Sequence, residues 1–359
     1  MLVTKQKLFR RFWYPVMPVQ MLDEGRPMPF RLLGQDIVLW RKADGGYAAM
    51  EDRCCHRTAR LSLGWVEKDT IVCAYHGWAY DCSGRCTRIP QNPEARDIPY
   101  RVPSYLTQAR YGYVWVCLDP EPLNAIPDLE EDGAEGFRCI HEFYERCRAS
   151  GLRLMENFFD FSHPGFVHKG TFGDMEDARP RETTMVDTPD GFVLDGDLPA
   201  LNTDDQIKRV VKDGGLLNTR HMVSKWYLPF MRKSQINYPN GLIHSLVTYA
   251  TPIDDEHSML CQWIYRNDTE SDVSAEDCIA VDRRITDEDI VILAGVDPDV
   301  PLSPHKAEEA HMYTDRPGLT MRRRLLAMLR DHGEAEVRAP RSLERIAAQS
   351  APVGEANLA

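Results

Sequence analysis

Two short couples of cysteine and histidine carry the clearest chemistry in this chain. They are Cys54-Cys55-His56 and, after sixteen intervening residues, Cys73-Ala74-Tyr75-His76. Cys54, His56, Cys73 and His76 together can hold a [2Fe–2S] cluster, with the thiolates on one iron and the imidazoles on the other. Neutral imidazoles in place of two thiolates make the cluster less negative and raise its potential. Such a centre accepts and releases one electron at a time. A single zinc ion accepts the same ligands and stands as the alternative. Zinc fingers usually put both cysteines in one couple and both histidines in the other. Here each couple carries one of each, which suits two irons served by both loops. The flanking text, Asp52-Arg53-Cys54-Cys55-His56-Arg57 and Cys73-Ala74-Tyr75-His76-Gly77-Trp78, brackets both couples with charged, aromatic and glycine residues.

A second constellation lies at Glu156-Asn157-Phe158-Phe159-Asp160-Phe161-Ser162-His163-Pro164-Gly165-Phe166-Val167-His168. Asp160 and His163, three apart, would share a helix face, as would Glu156 and Asp160, four apart. His163 and His168 are five apart, which on a continuous helix sets them about 140° apart. The residue before a proline avoids the helical region, so the helix is expected to break near His163 and let His168 fold back. Two histidines and one carboxylate form the facial triad that holds Fe(II) with open positions. For the carboxylate, the segment from about Ser274 to Val296 reads as a helix whose stripe runs Cys278, Val281, Ile285, Asp289, Ile292, Val296. An acid in that stripe is costly unless it is paired or bound to metal. Asp289 is therefore the candidate, with Asp287 and Glu288 as fallbacks. Thr286-Asp287-Glu288-Asp289 also has the spacing of a helix cap.

The remaining histidines, at 141, 221, 244, 257, 305, 311 and 332, read as structural, with His244 the one placed to reach a pocket. Cys55 reads as a bystander and the other cysteines as small buried or half-buried groups. Aromatic and polar residues between 200 and 265 suit a pocket for a planar small molecule: Asn218, Arg220, Trp226, Tyr227, Phe230, Met231, Arg232, Asn237, Tyr238, Trp263 and Tyr265.

These groups need a scaffold. Short β-rich runs at 30–34, 36–40, 46–50 and 111–118, broken by Gly and Asp, make the first third a small antiparallel β domain. It carries both metal loops and ends near the Pro-rich 119–122. Beyond it, helices and strands mix: a helix from about Arg148 to Ser162, strands within 183–193 and 242–265, the helix from Ser274, and a short basic helix over 321–329. The expected division is 1–122, 123–333 and a mobile tail over 334–359. No G-x-G-x-x-G occurs, so NAD(P)H oxidation falls to a separate protein.

The 359 residues carry a net charge of −12, which disfavours nucleic acid as a partner. No apolar run approaches the roughly 20 residues of a membrane span. The N-terminus lacks an apolar signal core, so a soluble, cytoplasmic protein with reduced thiols is expected.

The flanked Cys/His couples look like the ligand loops of a Rieske domain. With the second constellation, residues 8–330 resemble the α-subunits of Rieske non-haem iron oxygenases, of the type that includes vanillate O-demethylases, methylxanthine N-demethylases and saxitoxin-pathway hydroxylases. Asp289-Ile290-Val291-Ile292 is similar to the family's Asp-x-x-Ile ligand segment, although Ala294-Gly295-Val296 departs from its usual continuation. The resemblance implies an α+β architecture, with a β Rieske domain followed by a catalytic domain whose antiparallel sheet is flanked by helices. It implies a [2Fe–2S] cluster, a mononuclear Fe(II), dioxygen and a small organic substrate. It also implies a head-to-tail homotrimer in which Asp160 bridges His76 of one chain to His163 of the next. Hydroxylation or oxidative demethylation is the expected reaction. Cis-dihydroxylation of an aromatic ring, and electron transfer without oxygenation, are the alternatives. Electrons would come from an NAD(P)H-dependent reductase or ferredoxin, docking on Arg53, Arg57, Arg60 and Lys68.

Overall fold

The computed structural model describes residues 1–340 except 23–25, 178, 180, 203–204 and 304–308. His305, the side chain of Asn218 and tail residues 341–359 lie outside the described residues.

Ile37-Val38-Leu39-Trp40 is a continuous apolar run, as a strand buried on both faces requires. It lies in Gln35–Arg41, within a six-stranded antiparallel sheet ordered Tyr14–Pro18, Tyr113–Cys117, Ser104–Arg110, Tyr47–Glu51, Gln35–Arg41, Met28–Leu32. Ile37 and Leu39 enter one core and Val38 and Trp40 another, because alternate side chains leave opposite faces. The Val38 and Trp40 core also takes Cys54, Cys73, Trp78 and Tyr80. A four-stranded sheet of Trp65–Glu67, Thr70–Val72, Ala79–Tyr80 and Cys86–Arg88 carries the second Cys/His couple between its second and third strands.

The second half is built on a seven-stranded antiparallel sheet ordered Arg138–Cys147, Ser258–Arg266, Ile243–Pro252, Met231–Asn237, Leu217–Tyr227, Gly191–Leu201, Thr183–Thr188. On one face Val247, Tyr249, Trp263 and Tyr265 pack with Tyr113 and Trp115 of the first sheet. Tyr249 and Tyr144 donate to the Trp13 and Val16 carbonyls, fastening the two sheets together. The opposite face presents Ile236, Leu246 and Ile264 to Cys278 and Val281. Five helices complete this half: α1 (Gly151–Phe158), α2 (Pro164–Val167), α3 (Asp205–Val210), α4 (Ala275–Leu293) and α5 (Arg316–Asp331).

Four expectations are corrected. The helix expected through Ser162 ends at Phe158, so Asp160 and His163 do not share a helix face. Helix α4 is capped by Ser274, which accepts from the Asp277 amide, so Thr286–Asp289 lies mid-helix and is no cap. The expected apolar stripe also does not stay buried: Ile292, near the end of α4, and Val296, beyond it, are exposed. Residues 334–339, placed in the mobile tail from sequence, are held to the N-terminus. Glu334 accepts from the Lys7 and Leu8 amides, and the Val337 carbonyl accepts from Leu2. Among the described residues no helix is long and apolar enough to cross a membrane.

Candidate metal centres and active site

The two cysteine loops are the same turn built twice. The Cys54 carbonyl accepts from the Thr58 amide and the Cys73 carbonyl from the Gly77 amide, each at 2.9 Å. The Cys54 amide donates to Ala59 and the Cys73 amide to Trp78, each at 2.8 Å. Thr58 and Gly77, at the matching position, both adopt positive φ. Cys54 and Cys73 are 1% exposed. The Cys73 thiol is pushed up by burial and further by the adjacent Cys54 sulfur, while the Tyr75 and His76 amides aimed at it pull down. The two imidazoles sit together apart from the sulfurs, with His56 and His76 ring centroids 4.5 Å apart and Trp78 stacked on His56 at 4.5 Å.

This arrangement separates cluster from zinc. Among the described residues, the group whose candidate ligand atoms all lie within 4.8 Å of one another is His163, His168 and Asp289. The two cysteines and two histidines form no such group, although one tetrahedral ion would draw them to a point. A sulfur pair beside an imidazole pair fits two irons. His56 Nδ1 is buried with no hydrogen-bond partner, as a ligand atom would be. Burial, His76 and Arg57 push His56 down, toward the neutral form that binds metal. Tyr80 reaches this site. Its hydroxyl lies 3.0 Å from Cys54 Sγ and 3.3 Å from Cys55 Sγ.

The second centre is assembled from α2 and α4. His163 and His168 cap the two ends of the one-turn helix α2. His163 adopts helical angles, φ −68° and ψ −28°, despite preceding Pro164, so proline opens α2 and the chain break lies earlier, at Phe159. Only glycine fits at 173, because a Cβ there would lie 2.0 Å from the Pro164 carbonyl and 2.8 Å from His168 backbone. His163 Nε2 and His168 Nε2 are 3.2 Å apart, and lie 3.4 and 3.3 Å from Asp289 Oδ1. That triangle is what three bonds of about 2.1 Å to one ion would span. Asp289 is 5% exposed and Oδ1 has no hydrogen-bond donor. Burial pushes its carboxyl up, but the two imidazoles more than offset this and hold it ionised. His163 is lowered by burial yet raised by Asp160 and Asp289, to about 9 overall.

Each imidazole has a carboxylate behind it. Asp160 Oδ2 stands 3.7 Å from His163 Nδ1, ion-pair range rather than a hydrogen bond. Its Oδ1 accepts from the Ser162 amide at 2.6 Å, which fixes the bend between α1 and α2. Glu288 Oε2 accepts from His168 Nδ1 at 2.9 Å and from Thr171 Oγ1 at 2.8 Å. Glu288 therefore supports His168, and Asp287 faces solvent. Glu156 is taken up by Arg153 and Arg322 in a structural network. The Asn157 carbonyl receives the Asp160 amide, and its own side-chain amide is buried without a partner.

The triangle opens on a cavity of about 110 Å³. Of the pocket residues expected from sequence, Arg220, Arg232, Tyr238 and His244 line it. Trp226, Tyr227, Phe230, Met231, Trp263 and Tyr265 belong to the core, and Asn237 lies off the cavity. Phe158, Phe161, Phe172 and Ile285 supply apolar wall that the sequence did not single out. His244 Nε2 meets Asp282 Oδ2 at 3.2 Å, one more polar pair at the cavity.

Known proteins bear on both sites. Residues 12–106 match the Rieske [2Fe-2S] domain, and residues 147–331 match the vanillate O-demethylase oxygenase C-terminal domain. The chain is 33% identical over 213 residues to methylxanthine N1-demethylase NdmA of Pseudomonas putida, covering 54% of this chain and 60% of that protein. It is 34% identical over 168 residues to the 5,5'-dehydrodivanillate O-demethylase oxygenase subunit of a Sphingobium species, covering 45% of this chain and 39% of that protein. Both matches span less than two thirds of the relative. The solved structure of NdmA with caffeine superposes with a TM-score of 0.80 at 26% identity, covering 96% of each chain. Dicamba monooxygenase bound to dicamba shares the fold, with a TM-score of 0.77 at 19% identity over 91% of this chain and 99% of that one. A cluster-type Cys/His pair of loops, a two-histidine, one-carboxylate triangle and two family matches in the same order agree, and the chain belongs to the Rieske non-haem iron oxygenases, with a [2Fe–2S] domain followed by a C-terminal oxygenase domain.

Proposed function

We propose that this protein is the oxygenase component of a system that uses dioxygen and externally supplied electrons to hydroxylate or oxidatively demethylate a small organic substrate. The triangle of His163, His168 and Asp289 at the wall of a largely apolar cavity carries this reading. Three ligands on one side of an ion leave the cavity side free for dioxygen and substrate. We assign mononuclear Fe(II) to these three residues and the cluster to Cys54, His56, Cys73 and His76. When bound, the cluster supplies single electrons and the ferrous ion reduces dioxygen and oxidises a C–H bond.

The chain's own residues do the positioning. Glu288 keeps the His168 proton on Nδ1, so Nε2 is left for metal. Asp160 steadies His163 and, in this proposal, is the inter-subunit electron bridge. Its placement supports that role, since it lines both the inner cavity and an outer cleft between α1 and α5. Exposed Ile292, Val296 and Tyr313 around the cleft support contact with a second copy, and a homotrimer is the assembly proposed. Phe158, Phe161 and Phe172 keep the cavity dry and position the substrate.

Reductant is proposed to come from an NAD(P)H-dependent reductase or ferredoxin. Arg53, Arg57, Arg60 and Lys68, all exposed beside the cluster loops of an acidic chain, support docking there. A reducing cytoplasm is supported by ten free cysteines. The proposed division into domains remains 1–122 and 123–333, with the tail following.

The test is direct. Purified protein should be red-brown, with iron and acid-labile sulfide in cluster stoichiometry plus one further iron. Turnover under labelled dioxygen should place one labelled atom in the product, or release formaldehyde from a methyl group. Two labelled atoms would instead mark a cis-diol. A zinc-only protein without oxygen uptake would overturn the reading.

A further inference from the structure

Two arginines project into the cavity, on neighbouring strands. Arg220 belongs to Leu217–Tyr227 and Arg232 to Met231–Asn237. Arg220 is 4% exposed and, among the described residues, donates only to Asn202 Oδ1, at a long 3.4 Å. Arg232 donates to Thr248 Oγ1 at 3.1 Å. The Nε of each is buried without a hydrogen-bond partner, and among the described residues neither forms an ion pair.

Elsewhere the protein treats buried arginines differently. Arg266 is fully buried and grips Asp268, and Arg322, 4% exposed, grips Glu156 and Glu309. The carboxylates that line the cavity are committed. Asp282 faces His244, Asp289 faces His163 and His168, and Asp160 backs His163. What Arg220 and Arg232 have instead are aromatic faces. The Arg220 guanidinium lies 4.4 Å over Phe172, which itself stacks on His168 at 4.8 Å, and the Arg232 guanidinium lies 4.0 Å over Phe158. A ring holds a cation in place but does not neutralise it. Burial pushes Arg232 down to about 10, which leaves it charged at neutral pH. Asp289 and Asp282 pull Arg232 part of the way back, but neither pairs with it directly, and a buried cation without a direct ion-pair partner gains from an anionic ligand.

We propose that the substrate is an anion: a small aromatic or heteroaromatic acid whose carboxylate or sulfonate oxygens bind Arg220, with Arg232 as a second cationic donor beside Phe158. The inference rests on the oxygenase reading and narrows its substrate class. Arg220 stands two ring contacts from the iron-facing His168, so an acid group seated there leaves the far end of a single ring toward the metal triangle.

The test is calorimetric titration of metal-loaded protein with matched probes: 4-methoxybenzoate against 4-methoxybenzamide, and 4-methylbenzenesulfonate against the sulfonamide. At least one acid should bind tenfold or more tightly than its uncharged partner. Arg220→Gln should abolish that preference while cluster absorbance and iron content stay unchanged. Its ligand-free melting temperature should not fall, because no protein counter-charge is lost; a merely structural arginine would give a fall. Arg220→Lys should restore part of the preference. If Arg220→Gln does not fold, Arg232→Gln should weaken acid binding at least threefold. No acid preferred over its uncharged partner, or a preference retained in the folded variants, overturns the inference. Failure of the oxygenase reading is seen separately, as absence of the iron and cluster signals.

Discussion

Glu288 Oε2 accepts the Nδ1 proton of His168 at 2.9 Å, and the opposite nitrogen of that ring faces Asp289 Oδ1 at 3.3 Å. Two adjacent residues of α4 thus grip one imidazole from both ends. Glu288 fixes the tautomer and the ring plane, and Asp289 completes the proposed ligand set. Glu288→Gln keeps the shape but offers a neutral acceptor. Mononuclear iron affinity should fall about 10- to 100-fold, the usual effect of losing such an outer partner. The cluster spectrum should be unchanged. Iron-to-sulfide ratio and the EPR signal of the nitric oxide adduct of the ferrous site check both halves.

Asp160 separates the cavity from the surface cleft, with Oδ2 at 3.7 Å from His163 Nδ1. Asp160→Asn retains the oxygen that accepts from Ser162, so the bend survives. Both metal centres should load, and turnover should fall on the order of 100-fold. In single-turnover experiments the reduced cluster should stay reduced after substrate and dioxygen are added. Normal reoxidation would remove Asp160 from the electron path.

The Tyr80 hydroxyl lies 3.0 Å from the Cys54 sulfur, and a cluster-bound thiolate there would only accept. A hydrogen bond to a cluster sulfur stabilises the more electron-rich, reduced state. Tyr80→Phe should therefore lower the reduction potential. One hydrogen bond of ~1 kcal/mol corresponds to about 40 mV in a one-electron couple. Protein-film voltammetry reads this directly, and a rise in potential would contradict it.

The couples of cysteine and histidine were legible because both loops are local: ligand order and spacing lie within a few residues. His163 and His168 were legible for the same reason, and Asp289 because an acid interrupts an apolar helix stripe. Other assignments depend on tertiary packing. Nothing local distinguishes Glu288 from Asp287 beside Asp289; the difference is which way α4 faces α2. Tyr80 reaches Cys54 only because the small four-stranded sheet folds over the first loop. The pocket was half legible, since period-2 strands put Arg220 and Arg232 on one face but Met231 and Trp263 in the core. The helix break moved to Phe159 because His163 tolerates helical angles before Pro164, a local steric cost outweighed by the packing around α2.

Glu142 and Asp282 are neighbouring carboxyls, and the Asp282 charge works against ionisation of Glu142. Glu142 Oε1 and Asp282 Oδ2 have no hydrogen-bond partner, while Gln262 donates to Glu142 Oε2 at 2.9 Å. Burial first, then Asp282, pushes the Glu142 carboxyl well above its usual range. A group whose folded pKa is raised contributes stability below its unfolded pKa and loses it as pH rises toward the folded value. Glu142→Gln mimics the protonated form and removes that loss. The variant should melt at nearly the parental temperature at pH near 5 and about 2–4 °C higher at pH near 8, for a gain of ~1 kcal/mol. Melting curves across that range test the sign; a variant less stable at the alkaline end would mean that Glu142 is ionised in the fold.

Arg53 immediately precedes the first Cys/His couple in sequence, Arg57, Arg60 and Lys68 lie between the two couples, and all four are exposed on a chain with net charge −12. Local positive charge on an acidic protein steers an acidic electron donor to one place, and such steering weakens with salt because exposed charges are screened over about 10 Å at 0.1 M. Reversing two of them, Arg57→Glu with Arg60→Glu, should slow reduction of the cluster by a ferredoxin-type donor on the order of 10-fold at low salt. The deficit should shrink as ionic strength rises, since screening removes attraction in the parent and repulsion in the variant alike. Reduction by dithionite, a small reagent that needs no docking face, should change far less. Stopped-flow bleaching of the cluster absorbance with both reductants separates these outcomes. Equal slowing with both would place the effect on the cluster itself, and no slowing with the protein donor would move the docking face elsewhere on the surface.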